Sequence, residues 1–335
     1  MHFKVFFCIV EMYHLPWSSP MFLSSSALRS WVLTGFMALF VAHVPLAEAQ
    51  VHHHLHHHHH GAPVDPDPRH IALLSVTALV VDEQTQKVVY AKNPEPTHPI
   101  ASITKLMTAL VVIQNHQNME EILTVSQEDV DTLRYSHSHL RVGTQATRLD
   151  FMRMALVASE NRAAAALARN FPGGTAAFVQ QMNLQAQKLG MKDTHFEDSS
   201  GLNGANVATA QDLAVLVSTA VKVPLIHEIT TRSEIQVPIG RGGRLVTLHN
   251  TNPLVAQEGW QIGLSKTGFI NEAGQCLVMQ ATIHQRPTII VLLDSRGHHA
   301  RFSDANRVRR WLEVQDQTTL GLLSAKPVQK SGVAL

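Results

Sequence analysis

From Ile71 to Val81 and again from Lys87 to Ala91 the chain is β-branched or alternating, with the polar stretch Asp82-Glu83-Gln84-Thr85-Gln86 between the two runs. That pattern predicts an opening β-hairpin. The period changes after Pro99: Ile103, Leu106, Leu110 and Ile113 keep helical spacing while Met107, Val111 and Val112 fill the other faces. A helix over Ile103 to Ile113 is therefore predicted to be buried almost all round. Further helices are predicted over Asp150 to Arg169 with a break near Ser159, over Thr175 to Leu189 with Gly190 closing it, and over Gln211 to Val221, where Thr209 and Asp212 form a capping box. Strand patterns return at Ser233 to Ile239 and Arg244 to Asn250, around Gly240-Arg241-Gly242-Gly243, and then at Gln261 to Ile270, Gln275 to Ile283 and Thr288 to Leu293. A last helix is predicted over Ala300 to Val314. Hairpin, helical insertion, three-strand meander and closing helix make an α+β fold: an antiparallel sheet flanked by helices from the two chain ends, with a mainly helical insertion.

Residues 1–70 do not share these patterns. Arg29 precedes the apolar run Trp31 to Val44, and Ala47-Glu48-Ala49 is a small-x-small cleavage pattern, so residues 1–49 are read as a signal peptide cut after Ala49. Counting from Met21 as an alternative start brings the leader into the usual range of roughly 15–30 residues. The competing reading is a membrane anchor, which a run this short, broken by His43 and Pro45, serves poorly. Gln50, where a lipoprotein would have Cys, follows the cut. Residues 50–70 form a linker holding the tract His52 to His60, interrupted by Leu55, and a Pro-rich run to Pro68. Such a tract binds Zn, Ni or Cu ions loosely and without fixed geometry, or is an expression tag; no metal site is assigned to it. After the domain at 71–314, residues 315–335 carry Lys326-Pro327 and Ser331-Gly332 without an apolar stripe and are read as a flexible tail.

At 335 residues and 45% hydrophobic the chain has ample material for one large core, and a net charge of +1 argues against nucleic acid as a partner. Of the two cysteines, Cys8 leaves with the leader, so Cys276 has no partner for a disulfide. Its apolar surroundings, Gln275 to Ala281, predict an inert buried thiol.

The chemistry lies in three short motifs in fixed order: Ser102-Ile103-Thr104-Lys105, Ser159-Glu160-Asn161 and Lys266-Thr267-Gly268. Each alone is weak; the ordered set points to acyl transfer. Ser102 falls at the first turn of the buried helix, where unpaired N–H groups favour developing negative charge, and Lys105 lies one turn on along the same face. An ordinary surface lysine is the alternative, but a helix apolar on nearly every face would bury this one. A desolvated Lys105, with Lys266 nearby, is expected to be neutral and to take the Ser102 proton. Ser159 and Asn161 suit an inter-helix turn facing a cleft, although a Ser-x-Asn alone is most often a helix-capping turn. There Ser159 would relay a proton to the leaving amine and Asn161 would hold Lys105 and a peptide-like substrate. Gly268 inside a strand implies the close approach of another backbone, here an extended substrate. Lys266 would attract its carboxylate, Thr267 would hydrogen-bond it, and the Phe269 N–H would join the Ser102 N–H as an oxyanion hole; Lys266 alone would read as a solvated edge charge.

The run Pro99-Ile100-Ala101-Ser102-Ile103-Thr104-Lys105-Leu106-Met107-Thr108-Ala109, with Asp198-Ser199-Ser200-Gly201-Leu202 and Lys266-Thr267-Gly268, closely resembles the low-molecular-mass penicillin-binding proteins. These are D-alanyl-D-alanine peptidases of peptidoglycan, and the likeness covers about Ile71 to Val314. It implies a β-lactamase/transpeptidase-like fold, a serine acyl-enzyme in the bacterial periplasm, peptidoglycan stem peptides as substrates, β-lactams as inhibitors, and no cofactor or metal. By the same resemblance Ser102 is the acylated nucleophile, Lys105 the proton acceptor, Ser159 and Asn161 the second catalytic element, and Lys266 the substrate-carboxylate contact. Class A β-lactamases and many other relatives have Asp or Gly where this chain has Glu160, a side chain that usually points away from the cleft. No Glu-x-x-Leu-Asn-like loop occurs between Arg162 and Lys266, which argues against a β-lactamase. Carboxypeptidase members usually continue into a β-rich domain of roughly a hundred residues with an amphipathic membrane helix. The short span after Val314 therefore suggests the endopeptidase branch, which cuts cross-bridges between glycan strands. A D,D-carboxypeptidase and a non-hydrolytic wall-binding or β-lactam-sensing module are the alternatives, and partners among cell-wall enzymes are unspecified.

Overall fold

The computed structural model describes residues 71–240 and 242–324. The leader, the His-rich linker and residues 325–335 lie outside the described residues.

The opening hairpin forms as predicted, with β1 (Ser75–Asp82) antiparallel to β2 (Lys87–Lys92). A two-residue strand β3 (His98–Pro99) and a 3-10 turn at Ala101–Ile103 lead into α1 (Thr104–Gln114). Every residue of α1 from Thr104 to Val112 is buried, Thr104, Lys105 and Thr108 among them, because apolar side chains occupy nearly every face of the helix. The short strands β4 (Ile122–Thr124) and β5 (Gln145–Thr147) pair with each other, and α2 (Arg148–Val157), α3 (Asn161–Arg169) and α4 (Gly174–Lys188) follow. The break expected near Ser159 is the turn between α2 and α3. β6 (Val207–Ala208) pairs with β3, and α5 (Ala210–Ala220) is followed by α6 (Pro224–Thr230), a seven-residue helix that the pattern did not predict. Thr209 caps α5 by accepting from the Asp212 N–H. The Asp212 carboxylate turns instead to the Asp193 N–H and the Thr194 hydroxyl, so only half of the predicted capping box forms. β7 (Glu234–Ile239) and β8 (Arg244–His249) make a separate hairpin, and β9 (Gln261–Ile270), β10 (Gly274–Ile283) and β11 (Arg286–Ser295) make the meander. The last described element is α7 (Ala300–Ser324), which runs past the predicted end at Val314, so the first part of the span read as loose tail is helical.

The main sheet has the order β2-β1-β11-β10-β9, with all neighbours antiparallel. Residues alternate between its two faces, and both faces are covered. Ala78, Val80, Leu277, Met279, Ile290 and Leu292 meet Phe302, Ala305 and Val308 of α7. Leu79, Val278, Ile289 and Val291 face the larger cluster built on α1 and α5. Only α7 therefore comes from a chain end; the helices on the other face come from the insertion, a correction to the expected packing. Full burial of one Leu side chain contributes about 1.5–3 kcal/mol, and α1 alone buries Leu106 and Leu110. Asp304, fully buried, accepts from the Leu74 and Ser75 N–H groups and the Ser75 hydroxyl, which pins α7 to the start of β1.

Candidate active site

Ser102 sits in the 3-10 turn ahead of α1, not in the first α-helical turn. Two glycines clasp the backbone that carries it. A Cβ on Gly201 would stand 1.8 Å from the Ala101 carbonyl oxygen, and one on Gly268 would stand 2.8 Å from the Ile100 oxygen and 3.1 Å from the Ser102 nitrogen. Gly268 therefore makes room for the protein's own Ile100–Ser102 segment; the expected reason, a substrate backbone, is corrected to this one. Ala101 itself has φ +47°, a left-handed conformation that costs a non-glycine residue about 1–3 kcal/mol and that surrounding packing must hold in place.

The Lys105 Nζ lies 2.7 Å from Ser102 Oγ, 2.8 Å from Asn161 Oδ1 and 2.7 Å from the Ser200 carbonyl oxygen. Asn161 owes its place to the start of α3, and its Nδ2 donates to Ser136 Oγ at 3.0 Å, which orients the amide so that its oxygen faces the lysine. Ser159, at φ +59° in the α2–α3 turn, accepts from the Lys266 Nζ at 2.9 Å. Lys266 also donates to the Thr267 carbonyl at 3.0 Å, and the Thr267 hydroxyl donates to Thr251 Oγ1 at 2.6 Å. Phe269 follows on the edge strand and is 53% exposed. Ser102, Lys105, Ser159, Asn161, Lys266, Thr267 and Gly268, drawn from three separate stretches of sequence, thus form one connected cluster. β9 is bordered by β10 on one side only, so its other side can receive an extended peptide.

Burial governs the electrostatics. Desolvation pulls Lys105 from its ordinary value down to about 7, against the opposing pull of Asp198 and Glu160. Lys266 is pushed well below the usual lysine range by desolvation first, then by Lys105 and Arg301. Asp198 organises the turn that offers the Ser200 carbonyl to Lys105: its carboxylate accepts from the N–H groups of Ser200, Gly201 and Asn203. Three further residues at the site were not singled out by motif, Ser136, Thr251 and Arg301, and the half-buried Asp198, quoted only within a motif of the resemblance, is a counter-charge to Lys105. Arg301 lies in the first turn of α7, with Nη1 within 3.5 Å of the Gly268 carbonyl and its guanidinium over the Phe302 ring. Nothing in its local sequence separates it from the other arginines of that helix. Cys276 is fully buried and its thiol is pushed up to about 11 by desolvation, as an inert filler should be. Among the described residues no group of His, Cys, Asp and Glu side chains gathers as a metal site.

A lysine near its midpoint, bonded to a hydroxyl at 2.7 Å, can remove that hydroxyl's proton at neutral pH. The rate of serine acylation is expected to rise through a midpoint of about pH 7 as Lys105 loses its proton, measured as the second-order rate of labelling by a fluorescent penicillin. An acylation rate that stays flat through that region would sink the assignment of Lys105 as base. The linked stability effect has a fixed sign. Between about 7 and the unfolded lysine value the unfolded chain binds more protons, so this group's contribution to stability improves as pH rises through that window.

Comparison with known proteins gives a consistent result. Residues 64–297 match the peptidase S11 family, described as D-alanyl-D-alanine carboxypeptidase. The chain is 45% identical to a D-alanyl-D-alanine endopeptidase of Pseudomonas aeruginosa over 74% of its own length and 80% of the relative's. It is 40% identical to the D-alanyl-D-alanine endopeptidase of Escherichia coli over 72% of its length and 78% of that relative's. Among solved structures, the Streptomyces K15 DD-transpeptidase superposes with a TM-score of 0.67 at 28% identity, covering 72% of this chain and 97% of that one.

Proposed function

The chain belongs to the D-alanyl-D-alanine carboxypeptidase family of serine peptidases, peptidase S11, and from that premise we propose that it is a D-alanyl-D-alanine endopeptidase cutting peptidoglycan cross-bridges through an acyl-enzyme on Ser102. The observation that carries this is the buried Lys105 amine held between Ser102 Oγ, Asn161 Oδ1 and the Ser200 carbonyl. Lys105 takes the Ser102 proton as Oγ bonds to the D-Ala carbonyl carbon, and the carbonyl π electrons move onto oxygen. The N–H groups of Ser102 and Phe269 stabilise that oxyanion. As the tetrahedral species collapses the C–N bond breaks, and the leaving amine takes a proton passed from Lys105 through Ser159, to which Lys266 donates. Water then attacks the ester with Lys105 again as base, which frees the acyl group and returns the proton to Ser102. Lys266, Thr267 and Arg301 hold the substrate carboxylate. Its arrival favours the charged form of Lys266 and so offsets the burial that otherwise opposes it.

The endopeptidase is preferred to the D,D-carboxypeptidase because the Pseudomonas and Escherichia relatives, at 45% and 40% identity, bear that name, while a Streptomyces relative named a carboxypeptidase is 30% identical. The leader at residues 1–49 supports export to the periplasm, where stem peptides and β-lactams are met. Mass spectrometry of purified muropeptides tests the reading. A cross-linked dimer is expected to become monomers, and prior treatment with penicillin is expected to block the reaction. Loss of one D-Ala from a monomeric pentapeptide with the dimer left intact would make it a carboxypeptidase. No change in either substrate would favour a wall-binding or β-lactam-sensing module.

A further inference from the structure

Glu160 is a carboxylate that the mechanism above leaves unused, and it is 4% exposed. It occupies the N-cap position of α3 without capping the helix, because its side chain turns the other way. There it accepts from the Ser138 hydroxyl and from the His139 N–H at 3.2 Å, with the His139 ring Nδ1 at 3.4 Å. The two residues after it grip the same loop: Asn161 Nδ2 donates to Ser136 Oγ and Arg162 Nη1 donates to the Leu140 carbonyl. Three consecutive residues thus hold residues 136–140 against the site, and the central one is the partner of Lys105. The other end of the loop is tied by Asp131, which accepts from the N–H groups of Leu133, Arg134 and Ser136. The stretch between depends on Glu160 and Arg162.

We propose that Glu160 is a positioning residue of the acyl-transfer site: its carboxylate clamps the loop whose Ser136 hydroxyl orients the Asn161 amide, and its negative charge acts on the Lys105 amine from the α3 side. This rests on Ser102 and Lys105 being the acylating pair. The charged groups facing Lys105 come from four elements: Asp198 on the turn after α4, Glu160 at the start of α3, Lys266 on β9 and, beyond it, Arg301 on α7. Glu160 opposes the desolvation that drives the amine towards neutrality, so without its charge Lys105 gives up its proton at lower pH. His139, 58% exposed at the side chain, is the titratable group packed on Glu160 itself.

The test is the penicillin acylation rate as a function of pH through the Lys105 midpoint, in the full chain and its Glu160→Gln, Glu160→Ala and His139→Asn variants. In Glu160→Gln the amide oxygen still accepts from the His139 N–H and the amide NH2 donates to Ser138 Oγ, whose hydroxyl turns to the Leu140 carbonyl, so the plateau rate stays within a factor of a few while the midpoint falls. Glu160→Ala also frees the loop, and its plateau falls about tenfold to a hundredfold, the cost of misplacing a reacting group by about an ångström. A purely structural role would lower the plateau and leave the midpoint alone, so an unmoved midpoint in Glu160→Gln overturns the proposal, whether or not Glu160→Ala folds. A His139→Asn midpoint shifted as far as that of Glu160→Gln would assign the limb to the imidazole and overturn it as well. A wild-type chain that takes up no penicillin refutes the acyl-transfer reading itself, an outcome separate from an unmoved midpoint in an acylating variant.

Discussion

A Ser102→Ala chain is expected to keep its fold, to take up no covalent penicillin, and to lose cross-bridge hydrolysis by about ten-thousandfold or more, the scale seen when the nucleophile of a serine peptidase is removed. The fold should survive because the hydroxyl carries little of it. Its partner is the Lys105 Nζ, which keeps Asn161 Oδ1 at 2.8 Å and the Ser200 carbonyl at 2.7 Å after the change. The apolar wall of α1 and the glycine contacts around residues 100–102 are untouched. Intact-mass spectrometry after incubation with penicillin, alongside a thermal melt, reads both halves. An adduct on the variant at the wild-type stoichiometry would show that another residue is acylated. A variant that melts far below wild type would show that the hydroxyl has a structural role that the geometry does not give it.

Gly201→Ala is expected to damage both stability and acylation although residue 201 bears no functional group. Its φ is +83°, a region that costs an L-residue about 1–2 kcal/mol. The new Cβ would sit 1.8 Å from the Ala101 carbonyl oxygen, 2.3 Å from its carbon and 2.9 Å from the Ser102 nitrogen, so the backbone itself must move. Overpacking of that kind costs about 1–3 kcal/mol more. The combined loss corresponds to a fall in Tm of about 5 °C or more for a domain of this size. Displacing the Ser102 N–H removes one oxyanion donor and is expected to slow acylation about a hundredfold. Gly204→Ala is the matched control, since its nearest neighbour would be 3.8 Å away, and it should leave both properties close to wild type. Equal behaviour of the two variants would mean that the Ala101–Ser102 peptide does not depend on the Gly201 contact.

The helices and strands were largely legible because their patterns are local: α1 is apolar on nearly every face, the meander strands are β-branched, and a polar turn separates the first two strands. Where the capping pattern misled, the cause was tertiary. Asp212 follows Thr209 at capping-box spacing, yet Asp193 and Thr194 compete for its carboxylate. α7 continues past Val314 because the local signals read as tail do not interrupt a helix before Ser324. α6 is seven residues long, too short for a periodic signal to stand out from its surroundings.

The candidate site divides along the same line. By itself the sequence determined which residue types stand at which offsets: a Ser and a Lys one helical turn apart, a Ser-x-Asn at a helix break, and a Lys-Thr-Gly inside a strand. A helix or strand converts such spacing directly into direction, so these residues could be named before any fold was known. Only the tertiary structure decided that Gly268 and Gly201 close on the Ile100–Ser102 backbone, that Ser136, Thr251, Asp198 and Arg301 join the cluster, and that Glu160 is turned inward to the 136–140 loop. The charge state of Lys105 belongs there too. Desolvation and the field of Asp198 and Glu160 depend on what surrounds the amine in three dimensions, and those neighbours come from parts of the chain that no local pattern connects.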